Sequence, residues 1–183
     1  MHNELIEKIK VQKKIPIIGK MSSSDTINTF KRLISRNFII IEITLRSAEA
    51  LETAIIIKKN FPSTIIGIGS IKTMEMLKEA SKYQFDFFVS PGLNESILEY
   101  SNSKNLNFIP GISTPSEIMT AIEYEKKILK YFHAERNGGV KSLEILYEIF
   151  DNIKFIPTGG ITLQNYSNYL DLPNVISVGS TKF

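Results

Sequence analysis

The sequence predicts an α/β fold, a (β/α)8 barrel of parallel strands with an N-terminal helix ahead of it and lacking the eighth helix. Three observations carry this. Eight short runs rich in β-branched and aromatic residues recur along the chain. Seven helix-like segments separate them, and strands joined through helices run parallel. Eight is also the number of strands that closes a TIM barrel. A doubly wound open sheet is the alternative. The glycine-rich dinucleotide turn expected of it is missing, since IIGKMSSSD after the first strand holds one glycine.

The elements follow in order. A charged amphipathic helix at 3–12 precedes the first strand, at 15–19, and is placed to plug the barrel's N-terminal mouth. SSSDTINTFKRLISRN opens on capping residues and sets Ile27, Phe30, Leu33 and Ile34 on one face. Strands at 38–45, 64–70, 85–90 and 106–110 come next, each followed by a helical segment, at 47–60, 73–83, 94–104 and 114–125. Pro115 suits a first helical turn. Strands at 127–132, 153–157 and 175–179 complete the set, with helices at 138–150 and 162–170 between them. Tyr124, Tyr147 and Tyr166 fall on helices and are expected to pack against the barrel. No linker or low-complexity tract interrupts the pattern, so residues 1–183 read as a single domain, shorter than the roughly 250 residues typical of this barrel.

Composition excludes several function classes. The chain has no cysteine and two histidines, His2 and His133, so disulfides are excluded and no transition-metal site is expected. Net charge is +3, but lysines and acids are interleaved rather than gathered into a basic stripe, so no nucleic-acid partner is expected. FIIIEITL and TIIGIGSI are too short to span a bilayer, and MHNELIEKIKVQKK has no apolar signal region. No membrane partner is expected, and the cytoplasm is the expected location.

Strand side chains alternate between faces. In the second strand Ile39, Ile41, Ile43 and Leu45 suit the helix layer, while Ile40, Glu42, Thr44 and Arg46 suit the interior. In KILKYFHAE, Ile128, Lys130 and Phe132 share the inward face. Glu42 and Lys130 then point into one cavity, toward the end where barrel enzymes keep their chemistry. The plainer reading of such a pair is a snorkelling lysine and its ion-pair partner. Strand ends add GIGS, SPG, IPGIST, PTGGI and VGST, where glycine lets a ligand approach the backbone.

Taken in order, IEITLR, GIGS, SPG, IPGIST, LKYFHAERNGGV and PTGGI resemble the 2-keto-3-deoxy-6-phosphogluconate (KDPG) and 4-hydroxy-2-oxoglutarate (KHG) aldolase family. The resemblance runs from about residue 15 to residue 180. It implies a class I, Schiff-base aldolase of carbohydrate metabolism (the Entner-Doudoroff pathway) that needs no cofactor or metal, acts on a small 2-oxo acid and forms a homotrimer. Carried over by motif, Lys130 is the Schiff-base lysine and Glu42 the acid/base. Arg46 holds the pyruvate carboxylate, and Ser70 stands where the family usually has threonine. Pro91 and Phe132 line the pyruvate portion, and Thr158 touches the substrate chain. Gly159, Gly160, Ser180 and Thr181 form the phosphate site.

An amine attacks a ketone only when unprotonated, and burial disfavours the ammonium form of a lysine. Lys20 is a candidate second cation near that site. His133 replaces the family's usual proline and is expected to face outward or lie in the loop, as a surface rather than a catalytic histidine. A last strand followed directly by Phe183 leaves the phosphate site without a helix N-terminus behind it, so a phosphorylated substrate is expected to bind less well than 4-hydroxy-2-oxoglutarate. A non-catalytic acid-binding barrel and another barrel enzyme acting on phosphorylated sugars are the alternatives.

Overall fold

The computed structural model describes residues 3–183, so His2 lies outside the described residues. Nine parallel strands form one sheet: β1 (Lys14–Ile18), β2 (Ile40–Thr44), β3 (Ile65–Gly69), β4 (Phe87–Val89), β5 (Phe108–Ile109), β6 (Gly111–Ile112), β7 (Ile128–Phe132), β8 (Lys154–Thr158) and β9 (Val178–Ser180). Their spatial order is β5-β4-β3-β2-β1-β9-β8-β7-β6. The two ends of that order, β5 and β6, are adjacent in sequence and separated by Pro110 alone. The sheet therefore closes on itself as an eight-stranded barrel whose fifth strand is interrupted. Proline has no N–H to give to a ladder. Its carbonyl still accepts from Lys130 N at 2.9 Å, while Ser90 N on the other side donates to Ile109 O at 3.3 Å.

Helices α2 (Ser23–Ser35), α3 (Ala50–Asn60), α4 (Met74–Ala80), α5 (Glu95–Ser103), α6 (Pro115–Glu123), α7 (Gly139–Ile149) and α8 (Tyr166–Leu170) make the crossovers. Four start as the sequence suggests. Ser22, Thr73 and Asn94 each accept from the backbone N–H three residues on, and Thr114 forms a capping box with Glu117. The inner faces of these helices meet the outward faces of the strands in two apolar clusters, one around Phe30, Ile41, Ile43 and Ile68, the other around Leu129, Tyr131, Leu143 and Phe155. Tyr124 and Tyr166 pack against these layers. Tyr147 does not: it is 37% exposed, with Lys154 Nζ 5.9 Å from its ring centroid.

A third cluster fills the barrel's lower interior. Ile15, Ile40, Phe87, Ile109, Ile128 and Ile156 point inward and meet Leu5 and Ile9 from α1 (Asn3–Gln12). The N-terminal helix is thus the plug that its position suggested. The sequence carries no cue for what pins it. The Gln12 side chain accepts from Ile39 N and Ile40 N, both at 2.8 Å, and donates to the carbonyls of Lys14 and Ile40, both at 2.7 Å. Backbone groups at the start of β2 that would otherwise be unpaired are satisfied by one amide.

Glycine at 67 is required by packing. A Cβ there would lie 2.1 Å from the Phe87 ring, which occupies the space instead.

Ile9 is fully buried, so Ile9→Ala should destabilise the fold by about 2–4 kcal/mol through lost burial and a residual cavity. Val11, 81% exposed on the same helix, should tolerate alanine within about 0.5 kcal/mol. Urea denaturation of the two variants checks both.

Candidate active site

Period-two alternation places the two central groups. On β2, Ile41 and Ile43 face the helices, which sends Glu42 inward. On β7, Leu129 and Tyr131 face the helices, which sends Lys130 inward. The residues start 88 positions apart and come together across the barrel: Lys130 Nζ donates to Glu42 Oε1 at 3.5 Å. Their side chains are 6% and 5% exposed. The Phe132 ring centroid lies 5.4 Å from Lys130 Nζ, adding an aromatic face to the ammonium's surroundings.

Room for the carboxylate comes from β3. A Cβ on Gly69 would lie 2.0 Å from Glu42 Oε1, so no larger residue fits there without moving the carboxylate. Beside the pair is a space of about 10 Å³, lined by Glu42, Lys130, Thr158 and Gly179, enough for one water. Lys130, Thr158 and Gly179 also line a larger cavity of about 270 Å³ above it. This second cavity opens at the C-terminal ends of the strands.

Its walls are cationic. Arg46, Lys130 and Lys182 line it, and among the described residues no Asp or Glu does. Such a space favours an anion. Arg46 stands at the rim, and its Nε donates to Ser70 Oγ at 2.9 Å. Ser70 is buried and holds a left-handed backbone (φ 62°), an uncommon conformation for a residue with a side chain. The far wall is made by Gly159 and Gly160, at φ 97° and 78°, together with Ser180, Thr181 and Lys182.

Most residues singled out from sequence converge here, with qualifications. Lys130, Arg46, Phe132, Thr158, Gly159, Gly160, Ser180 and Thr181 line the larger cavity, Glu42 lies just beneath it, and Ser70 reaches it through Arg46. Ser180 Oγ is already committed: it donates to Ile161 O at 2.5 Å and accepts from Lys182 N at 3.0 Å. Pro91 follows β4 without lining either cavity, and its backbone presses on Gly111 instead. Lys20 is exposed and lines neither cavity.

His133 requires a correction in part. It lies in the turn directly after β7, one of its two expected places, but it is half-buried rather than open to solvent: it lines the larger cavity and stacks against Gly159, where a Cβ would lie 2.6 Å from its Cγ. Lys182 is a second cavity residue that the motifs did not mark; a lysine two residues past VGS is its only signal. Among the described residues no cluster of potential metal ligands occurs, and no helix is long and apolar enough to cross a membrane.

Removing one member of a buried ion pair strands the other. Glu42→Leu should therefore destabilise the protein by about 3 kcal/mol, and adding Lys130→Met should recover most of that loss. A double-mutant cycle in denaturant measures both.

The family model for KDPG and KHG aldolase matches residues 5–183. A 2-dehydro-3-deoxy-phosphogluconate aldolase of Dickeya dadantii (strain 3937) is 36% identical over 167 residues, which is 91% of this chain and 78% of that protein. A KHG/KDPG aldolase of Escherichia coli (strain K12) is 35% identical over the same shares of the two chains. The crystal structure of KDPG aldolase from Legionella pneumophila, with pyruvate captured as a covalent carbinolamine intermediate, superposes with a TM-score of 0.92 at 29% identity, covering 96% of this chain and 85% of that one. The chain belongs to the KDPG and KHG aldolase family and is a carbon–carbon lyase.

Proposed function

We propose that this member of the KDPG and KHG aldolase family uses Lys130 as its Schiff-base amine and Glu42 as its acid/base. Its substrates in this reading are 2-keto-3-deoxy-6-phosphogluconate, cleaved to pyruvate and glyceraldehyde 3-phosphate, and 4-hydroxy-2-oxoglutarate, cleaved to pyruvate and glyoxylate. The observation that carries the proposal is a buried amine 3.5 Å from a buried carboxylate at the floor of a cation-lined cavity. The carbinolamine captured in the Legionella pneumophila relative supports it.

The steps follow from the positions. Lys130 passes one ammonium proton to Glu42, 3.5 Å away, and the freed amine adds to the C2 carbonyl of the 2-oxo acid; a second nitrogen proton moves to the former carbonyl oxygen, giving a neutral carbinolamine. Glu42 protonates its hydroxyl, water leaves, and an iminium forms. The space beside the pair suits that water. Glu42, now a carboxylate, takes the proton of the C4 hydroxyl. The C3–C4 bond breaks, its electron pair moves into the enamine of pyruvate, and the aldehyde departs. Protonation at C3 and addition of water then release pyruvate and free the lysine. Acid–base help of this kind is typically worth about 10²–10⁴ in rate.

Charge sets the substrate's direction. Arg46, oriented by Ser70, takes the carboxylate next to the ketone through a charge-assisted contact. Phe132 and Thr158 flank the chain of the substrate. The opposite end, carrying the phosphate or second carboxylate, meets Gly159, Gly160, Thr181 and the backbone at Ser180, whose hydroxyl is occupied. Pro91 acts indirectly, its backbone packing on Gly111, the β6 residue in register with Lys130. Residues 1–183 work in this reading as one catalytic domain, in a homotrimer and in the cytoplasm.

Incubation with pyruvate and borohydride should leave a reduced adduct on the tryptic peptide containing Lys130. Lys130→Ala should lose both the adduct and cleavage of either substrate, and Glu42→Gln should lower kcat by about 10²–10⁴. Cleavage retained by Lys130→Ala, or an adduct on another lysine, overturns the assignment.

A further inference from the structure

We infer that His133 is a specificity-determining residue of the cavity, donating through Nε2–H to the acid group at the far end of the substrate. The inference rests on the aldolase reading above, which places that end against the Gly159–Gly160 wall. It assigns His133 a role that the motif residues do not cover.

His133 Nδ1 is buried and has no hydrogen-bond partner. A buried N–H without an acceptor is costly, more so than a buried lone pair with no donor. Of the two neutral tautomers, the one with its proton on Nε2 avoids that cost. Nε2 has no hydrogen-bond partner either and is not buried, so it is the accessible ring nitrogen of a residue that lines the cavity.

Backbone geometry holds the ring in place. Gly159 has no Cβ, and the imidazole occupies the space where one would lie, 2.6 Å from its Cγ and 2.9 Å from its Nδ1. Cε1 comes within 3.5 Å of the corresponding position on Gly160. Backbone bonds from Ala134 N to Thr158 O (2.8 Å) and from Glu135 N to Gly159 O (3.2 Å) tie the following residues to the same wall. A donor held this way, in a cavity whose lining includes Lys182 and, among the described residues, no Asp or Glu, suits an anionic end group; Glu135, packed against Gly160, turns its carboxylate to the Tyr169 hydroxyl. Carboxylate and phosphate share that chemistry. An uncharged end would gain little from it.

The test compares three substrates that differ only beyond C4: 4-hydroxy-2-oxoglutarate, 2-keto-3-deoxy-6-phosphogluconate and 4-hydroxy-2-oxopentanoate, which ends in a methyl group. In His133→Leu, kcat/KM for at least one acid-ended substrate should fall relative to the methyl-ended one by about tenfold to a hundredfold, chiefly through KM. Which acid-ended substrate loses more identifies the end group that His133 serves. His133→Gln, which keeps an N–H donor at similar reach, should restore much of the ratio. A ratio unchanged in His133→Leu overturns the inference, and so does an equal fall for all three substrates. The borohydride adduct of the wild-type protein with pyruvate, which has no far end, is scored separately. Its absence overturns the aldolase reading, whereas its presence with an unchanged ratio overturns only the role of His133.

Discussion

The ion pair between Lys130 and Glu42 is the constraint around which the interior is arranged. Two charged groups withdrawn from water carry a desolvation cost of several kcal/mol each, and their mutual attraction seldom exceeds it. The pair is therefore a poor device for stability alone. The barrel tolerates it because the surrounding structure makes up the difference. Below the pair, Ile15, Ile40, Phe87, Ile109, Ile128 and Ile156 fill the cylinder, and Leu5 and Ile9 seal it. At about 25 cal/mol per Å² of apolar surface, that burial supplies what the charges do not.

Space in a small cylinder is the second constraint, and glycine manages it. Gly69 leaves the position that the Glu42 carboxylate takes, and Gly67 leaves the position that the Phe87 ring takes, one inward-facing step lower on the same strand. The motif GIGS is thus a packing solution first: one glycine admits the Phe87 ring of the core, the next admits the buried carboxylate, and the serine after them orients Arg46. The order along β3 repeats the order along the barrel axis, from apolar floor to charged middle to cationic rim.

The fold and the central pair were legible in the sequence because both depend on period. Alternation on β2 and β7 is enough to send Glu42 and Lys130 to the same side, and capping residues mark where the helices start. The interrupted fifth strand was legible only in part, since Pro110 read as its end and the ladder resumes at Gly111. What escaped lies beyond the last strand residue, where alternation stops applying. Continuing the alternation of β7 by one residue sends His133 outward, yet the chain turns there and lays the ring on Gly159. Pro91, carried over by motif rather than by alternation, follows β4 and packs its backbone on Gly111. Ser180 lines the cavity, but a motif cannot reveal that its hydroxyl is spent on Ile161. Gln12 had no signal, because its four partners are backbone groups brought near only by folding.

Charge then separates what the floor and the walls do. At the floor, one cation and one carboxylate lie within 3.5 Å, so their charges largely cancel and the site offers proton traffic rather than net attraction. At the walls, Arg46 and Lys182 face the cavity without a lining carboxylate among the described residues, so attraction is concentrated there. A ligand charged at both ends is drawn to the walls and suspends its middle over the amine. In the proposed reading the polar anchors hold the ends, which change little during bond cleavage, while the acid and base meet the atoms that do change. Binding and chemistry are thus assigned to different residues, and the division follows from where the strands end.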